Sequence, residues 1–299
     1  MDIGVIVLAG GYGKRFQTKN QWSDKLLELI NGKPMLINVI DTVSQISQNI
    51  IITTKPERIE KYKKVINVNK EIKIIPDDPP LKNSVPLAGI NAGIKHLQNE
   101  YILLLAGDMP FIKPEVIKIL INNASQNDAT VPILYNGITQ PLLAIYKYDH
   151  VHKSIKIILR KKQKRVTDLI RSAYTIRFVS ADEIRSVDPE LKSLISINRP
   201  EEIQKQTIKR TPNIVKVHSI TYKDPHPYWK VLNAYLDHSY QEAALLFAEE
   251  SRIFKKYGIT HLELHALHDA SNAYQKIRER RPEIDQRIYA LMKIIEEGE

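Results

Sequence analysis

The sequence predicts a doubly wound, mostly parallel α/β sheet with a small all-α domain appended on its C-terminal side. Three observations carry this. Short apolar runs of strand length alternate with stretches of helical period as far as residue 206. The first run, Ile3 to Leu8, is almost wholly apolar, as strands buried on both faces of a parallel sheet are, and it opens into a glycine-rich loop. Beyond residue 206 the strand-like runs vanish and only helical spacing is left.

The elements follow in order. After the glycine loop comes a polar stretch and then Asp24-Lys25. Leu26 to Ile30, Asn31-Gly32 and Lys33-Pro34 read as a strand, a turn and a helix entry. Leu36, Ile37, Val39, Ile40 and Val43 recur at helical spacing, and Ile50 to Ile52 make the second strand. A helix over Ile59 to Ile66 and a strand over Ile72 to Ile75 follow, closed by Pro76-Asp77-Asp78 and more prolines. Leu87 to Leu97 is a helix face. Ile102 to Leu105 is the most apolar strand, ended by Gly107-Asp108-Met109-Pro110. Val116 to Leu120 is helical, Thr130 to Leu134 and Leu142 to Tyr146 are strands, and Asn136-Gly137 turns between them. Helical signal covers Ile155 to Leu159 and Val166 to Ile170. Ile176 to Val179 and Leu194 to Ile197 are the late strands.

This periodicity sets the domains: an α/β domain over 1–206, a linker over 207–224 containing Pro212, and a helical domain over 225–299. Few core contacts are expected to cross the boundary, so 1–206 is expected to fold alone. Four helices are expected in the last part, with alanines permitting close antiparallel packing.

Composition narrows the chemistry. There is no cysteine, which excludes disulfides, thiolate catalysis and cysteine-held zinc. No apolar run approaches bilayer length, and the first is too short for a signal peptide; a cytoplasmic protein with no membrane partner is expected. The formal net charge of +10 is uneven: residues 1–206 carry 30 Lys and Arg against 21 Asp and Glu, and residues 207–299 carry 14 against 13. A basic field around the glycine loop favours anionic ligands. The densest run, Arg160 to Arg165, has no interleaved aromatics for stacking on bases, so it reads as a solvated helix end and nucleic acid is not expected. His261, His265 and His268 lie at helical spacing; a surface or interface cluster without a bound metal is expected there.

The chemistry begins at the loop. Gly10, Gly11 and Gly13 remove the Cβ atoms that would keep an anion from the backbone N–H groups, and Lys14 and Arg15 add full charge. A polyphosphate is the simplest ligand. The spacing fits neither a Walker loop, since Leu8 stands where its first glycine belongs, nor a dinucleotide fingerprint, since Phe16 stands where its third glycine belongs. Asp108, on the turn after a central strand, can hold Mg²⁺, which prefers one or two carboxylates with phosphate oxygens and water. Asp77 and Asp78 can share the ion or bind substrate, and Lys25 can reach a phosphate.

Leu8 to Phe16 followed by Asp24-Lys25 resembles the signature of the sugar-phosphate-type nucleotidyltransferases. Within them the chain most resembles the molybdenum cofactor guanylyltransferases. Val85 to Ile90, Gly107 to Pro110, Gln140-Pro141-Leu142 and Ser196 to Glu202 support the likeness, which spans residues 1 to about 205. It implies the nucleotide-diphospho-sugar transferase type of Rossmann fold. It also implies a reaction: a terminal phosphate on molybdopterin attacks the α-phosphate of GTP and releases pyrophosphate. Leu8, Ala9 and Gly10 would then meet the base. Gly11, Gly13, Lys14, Arg15 and Lys25 would hold the triphosphate, Asp77 would contact the nucleotide, and Asp108 would bind Mg²⁺. Gln140 and Asn198 would face the acceptor. Thr54 and Lys55 stand where the family often has a guanine-reading asparagine, with Lys55 donating to O6. A sister enzyme using CTP or a sugar phosphate is the first alternative. The second is a nucleotide-binding protein whose helical domain takes a protein partner.

Overall fold

The computed structural model describes residues 1–11, 13, 24–66, 72–78, 85–161, 165–199, 202, 208 and 212–298. The apolar first run is strand β1 (Ile3–Leu8). A 3-10 turn at Lys25–Leu27 leads into a small hairpin, β2 (Leu29–Ile30) and β3 (Lys33–Pro34). Asn31 and Gly32 turn it with φ of 52° and 80°, the positive pair that a tight two-residue hairpin requires. Then come α1 (Met35–Val43), β4 (Ile50–Thr54), α2 (Ile59–Val65), β5 (Ile72–Pro76), α3 (Val85–Ile94) and β6 (Tyr101–Ala106). The chain continues through α4 (Pro114–Asn122), β7 (Ala129–Ile133), β8 (Leu143–Lys147), α5 (Tyr148–Ile158), α6 (Thr167–Arg171), β9 (Thr175–Ser180) and α7 (Ala181–Arg185). It ends with β10 (Ser219–Thr221), α8 (Pro227–Leu236), α9 (Tyr240–Tyr257), α10 (Thr260–Lys276) and α11 (Pro282–Gly298).

The long strands form one eight-stranded sheet in the order β10-β9-β7-β8-β6-β1-β4-β5. β1 lies parallel to both β4 and β6, and β4 lies parallel to β5. β8 runs antiparallel to β6 and β7, and β10 runs antiparallel to β9. The doubly wound, mostly parallel sheet read from the periodicity is the fold of the chain.

Alternation along β1 builds two cores. Val5 and Val7 face a layer with α1, α2, α4 and α7, while Ile6 faces a layer with α3, α5 and α6. α8 to α11 share a third core around Phe247, Leu267 and Leu291. Among the described residues no helix is long and apolar enough to cross a membrane.

Three expectations are corrected. Leu194 to Ile197 is not a strand: a 3-10 turn at Lys192–Leu194 leads into an extended segment. Its apolar residues are buried, and the Ile197 N–H donates to the Asp108 carbonyl (2.9 Å), so the run crosses the end of β6 instead of joining an edge. The span read as a linker holds β10, which pairs with β9. Core contacts also cross the expected boundary, because Phe254, Ile259, Leu262 and Ala266 enter the second core. Helical period shows that a face is apolar; it does not show what the face packs against.

The basic run is corrected for the same reason. Lys161 is buried on Asp269, and Arg165 reaches the other oxygen of that carboxylate (2.8 Å). Lys162 and Lys164 lie outside the described residues. Arg171 completes the cluster, forking onto Glu250 and touching Asp168 (3.0 Å) and Asp269 (2.7 Å). Burial alone would raise the Asp269 carboxyl, but Lys161, Arg171 and Arg165 together hold it well below the usual carboxylate range.

Candidate active site

Where β1 ends, its backbone is held between its two neighbours. The Ala9 N–H donates to the Thr53 carbonyl (2.8 Å), and the Gly107 N–H donates to the Leu8 carbonyl (3.0 Å). The loop therefore leaves the sheet at the carboxyl ends of β4, β1 and β6, where open α/β sheets bind ligands. A cavity of about 230 Å³ opens there. Gly10, Gly11, Lys25, Thr53, Asp77 and Asp108 line it together with the apolar Leu8, Leu26, Pro86, Ala106 and Leu142. Gly10 lets Asp77 lie against the loop, since a Cβ there would come within 2.1 Å of Asp77 Oδ2 and push that carboxylate aside.

Buried groups behind the loop fix it. Arg58 Nη1 donates to the Gly11 carbonyl (2.7 Å), and the Thr54 hydroxyl donates to the Ala9 carbonyl (3.0 Å). Both carbonyl dipoles are thus engaged by donors and are not left to repel an incoming anion. Arg58 Nε also lies 3.6 Å from Asp24. Asp24 accepts from the Leu26 N–H (3.3 Å) and the Tyr62 hydroxyl (3.2 Å), capping the turn that carries Lys25.

Lys25 Nζ lies 2.6 Å from Asp108 Oδ2 and 3.5 Å from Asn198 Oδ1. The Ser196 hydroxyl donates to Asp108 Oδ1 (3.1 Å). The Lys25 and Asp108 side chains keep 13% and 20% of their exposure, so the pair meets the cavity and is not sealed. Asp108 retains lone pairs beyond these two bonds. One carboxylate of this kind suits a hard cation that takes most of its ligands from phosphate and water. Among the described residues there is no group of three or more His, Cys, Asp or Glu poised for a metal.

Asp77 is different in kind. Both of its oxygens are buried without a hydrogen-bond partner. Burial pushes its carboxyl up to about 6, against the pull of Lys55 and of the Thr53 hydroxyl beside it. Asp78 turns away, accepting from Asn91 (2.5 Å) and Lys95 (2.7 Å) on and just beyond α3.

The residues singled out from the sequence thus separate into groups, and Leu8, Gly10, Gly11, Lys25, Asp77 and Asp108 share one cavity. Ala9 is buried, and Thr54 is spent on its carbonyl, so Thr53 takes the lining place expected of Thr54. Lys55 acts electrostatically on Asp77. Gly13 has a φ of 58° beside the cavity's glycines, and Lys14 and Arg15 lie outside the described residues. Gln140 donates to the Leu194 carbonyl (3.2 Å), and its neighbour Leu142 reaches the cavity. Sequence reasoning misses Thr53, Leu26 and Pro86 in the lining, and Arg58 and Tyr62 behind it. Only side-chain alternation along β4 carries a signal, for Thr53.

The MobA-like NTP transferase domain family matches residues 5–175. A chain from Natranaerobius thermophilus named "probable molybdenum cofactor guanylyltransferase" is 30% identical over 206 residues, covering 68% of this chain and 94% of that one. A chain of the same name from Methanosarcina mazei is 30% identical over 202 residues, covering 67% and 87%. Among solved structures, molybdopterin-guanine dinucleotide biosynthesis protein A from Archaeoglobus fulgidus aligns with a TM-score of 0.53 at 25% identity, over 68% of this chain and 96% of that one. The cavity at the ends of β1, β4 and β6 therefore lies in a nucleotidyltransferase, and the chain belongs to the MobA-like NTP transferase family.

Proposed function

We propose that the enzyme transfers GMP from GTP to the terminal phosphate of a molybdopterin-type acceptor, with Mg²⁺, in the cytoplasm. The names of the relatives support the nucleotide and the acceptor. The observation that carries the reading is one cavity with a cation–carboxylate pair at Lys25–Asp108 and an unpartnered buried carboxylate at Asp77.

An oxygen of the acceptor's phosphate attacks the α-phosphorus of GTP. The bond from that phosphorus to the bridging oxygen breaks, and pyrophosphate leaves with the negative charge. Such chemistry depends on positioning and charge neutralisation more than on a general base. Lys25 and the glycine loop, joined by Arg15, hold the triphosphate. Asp108 holds Mg²⁺, which when bound offsets charge on the leaving group. Asn198 and the Gln140–Leu142 segment face the acceptor.

Asp77 reads the base. Guanine presents N1–H and N2–H donors side by side, and the two oxygens of a carboxylate can accept both once the base displaces what covers them. Lys55 next to Asp77 suits the O6 acceptor. Adenine offers an acceptor and an N6 donor at the corresponding edge, leaving Asp77 and Lys55 poorly matched. An unpaired buried polar group costs about 1–3 kcal/mol, so ATP should bind roughly tenfold or more weakly than GTP. Calorimetric titration of GTP, ATP and CTP in Mg²⁺ tests this. CTP binding as tight as GTP would replace guanylyl with cytidylyl transfer.

A further inference from the structure

The loop between β7 and β8, residues 134–142, is held from two sides. On the site side, the Leu142 carbonyl accepts from the Ala106 N–H (2.9 Å), and Leu142 lines the cavity. Gln140 Nε2 donates to the Leu194 carbonyl, two residues before Ser196, whose hydroxyl meets Asp108. On the other side the loop meets the appended helices. The His261 N–H, one of the first of α10 and without an acceptor inside the helix, donates to the Gly137 carbonyl (3.1 Å). His261 Nδ1 lies 3.0 Å from the Thr139 hydroxyl and 3.2 Å from the Thr139 carbonyl. That carbonyl can only accept, so a proton on Nδ1 donates to it. Gly137 has a φ of 77°, and a Cβ there would lie 2.2 Å from the Gly258 carbonyl oxygen, so the backbones are in direct contact.

We propose that His261 is a positioning residue for the acceptor side of the active site, and that the appended helices serve the transfer by clamping the 134–142 loop through Thr139 and Gly137. The contacts run unbroken from α10 through Thr139 to Gln140 and Leu142, and from Gln140 to the segment that seats Ser196 on Asp108. The GTP side has its own supports in Arg58, Thr54 and Asp24. The clamp therefore bears first on Gln140 and Leu142, which the loop itself carries, and reaches Asp108 only through the segment that seats Ser196. The inference rests on the reading above that places the acceptor at Gln140–Leu142 and Asn198.

The test compares His261→Leu with His261→Asn in the full chain. Leucine fills the site without a donor; the asparagine amide can donate from near the Nδ1 position. His261→Leu should raise the KM for molybdopterin about tenfold or more and leave the calorimetric Kd for GTP within about twofold, since misplacing a binding element costs rate without touching the other substrate. Amide hydrogen exchange should quicken within 134–142 and not in β1, β4 or β6. His261→Asn should restore both. Wild-type KM and exchange in His261→Leu would overturn the clamp. So would an equal rise in GTP Kd with faster exchange throughout, which marks general destabilisation. If the wild-type chain transfers nothing to molybdopterin, the functional reading fails, and the exchange data alone decide the clamp: quickening confined to 134–142 supports it, and unchanged exchange overturns it.

Discussion

Two clusters of cations and carboxylates stand in this molecule, one at the sheet's carboxyl edge and one between α6 and the appended helices. In the second, Arg171, Lys161, Asp168, Asp269 and Glu250 are almost fully buried, and Asp269 accepts from Lys161, Arg165 and Arg171 together. In the first, Lys25 and Asp108 keep contact with the cavity, and Asp77 has two oxygens with no partner. Charge alone does not distinguish them. What does is access: the second cluster is sealed in the interior, while the first lines a cavity. A sealed cluster holds elements together, and one that meets a cavity can take a ligand.

Substitution should separate the two sharply. Asp269→Asn leaves Lys161 and Arg171 short of counter-charge in the interior. Breaking a buried pair in this way costs about 3–5 kcal/mol, so urea midpoints should fall steeply while the surviving folded protein still binds GTP. An Asp269→Asn chain as stable as wild type would show that the cluster is not a structural joint.

Asp108→Asn should do the reverse. The Lys25–Asp108 pair is mostly buried but opens on the cavity, and asparagine keeps a carbonyl for Lys25, so the melting temperature should fall by less than in Asp269→Asn. Loss of the carboxylate proposed to hold Mg²⁺ should lower turnover about a thousandfold, the several kcal/mol that a metal ion contributes to phosphoryl transfer. Pyrophosphate release at saturating Mg²⁺ measures it. An unchanged rate would move the metal site elsewhere.

The same contrast explains what is legible in the sequence. β1 with its glycine loop and Asp108 after β6 are local patterns, each a strand end followed by a turn, and Lys25 follows a capping aspartate in a turn of its own. Thr53 cannot be read in this way, because choosing it over Thr54 requires knowing which sheet face meets the ligand, and a one-residue slip reverses that. Arg58 is hidden because its role comes from a carbonyl 47 positions away in the chain. The Arg160–Arg165 run reads as solvated because its acids, Asp269 above all, lie about a hundred residues further on, outside any local pattern. Motif and period mark where chemistry can begin. Long-range pairing decides which charges are free to perform it.

The finest division between the clusters concerns protons. Asp77 has a carboxyl raised to about 6 by burial, above its value in the unfolded chain, so its ionised form costs the free protein stability at neutral pH. That cost fades as pH falls through about 6, and the unliganded protein takes up a proton there. On the proposed base reading GTP needs the ionised form, because N1–H and N2–H must meet acceptors. Its affinity should therefore fall about tenfold per pH unit below about 6. Asp77→Asn should bind GTP about tenfold more weakly at pH 7.5, from the loss of a charged acceptor, and show no such slope. Taking the ratio of wild-type to Asp77→Asn affinity at each pH cancels the titration of the triphosphate itself. Calorimetry between pH 5 and pH 7.5 should give a ratio that narrows toward acid as the wild-type carboxyl protonates. A ratio independent of pH would mean that Asp77 does not meet the base, and that its unfilled valences belong to the fold after all.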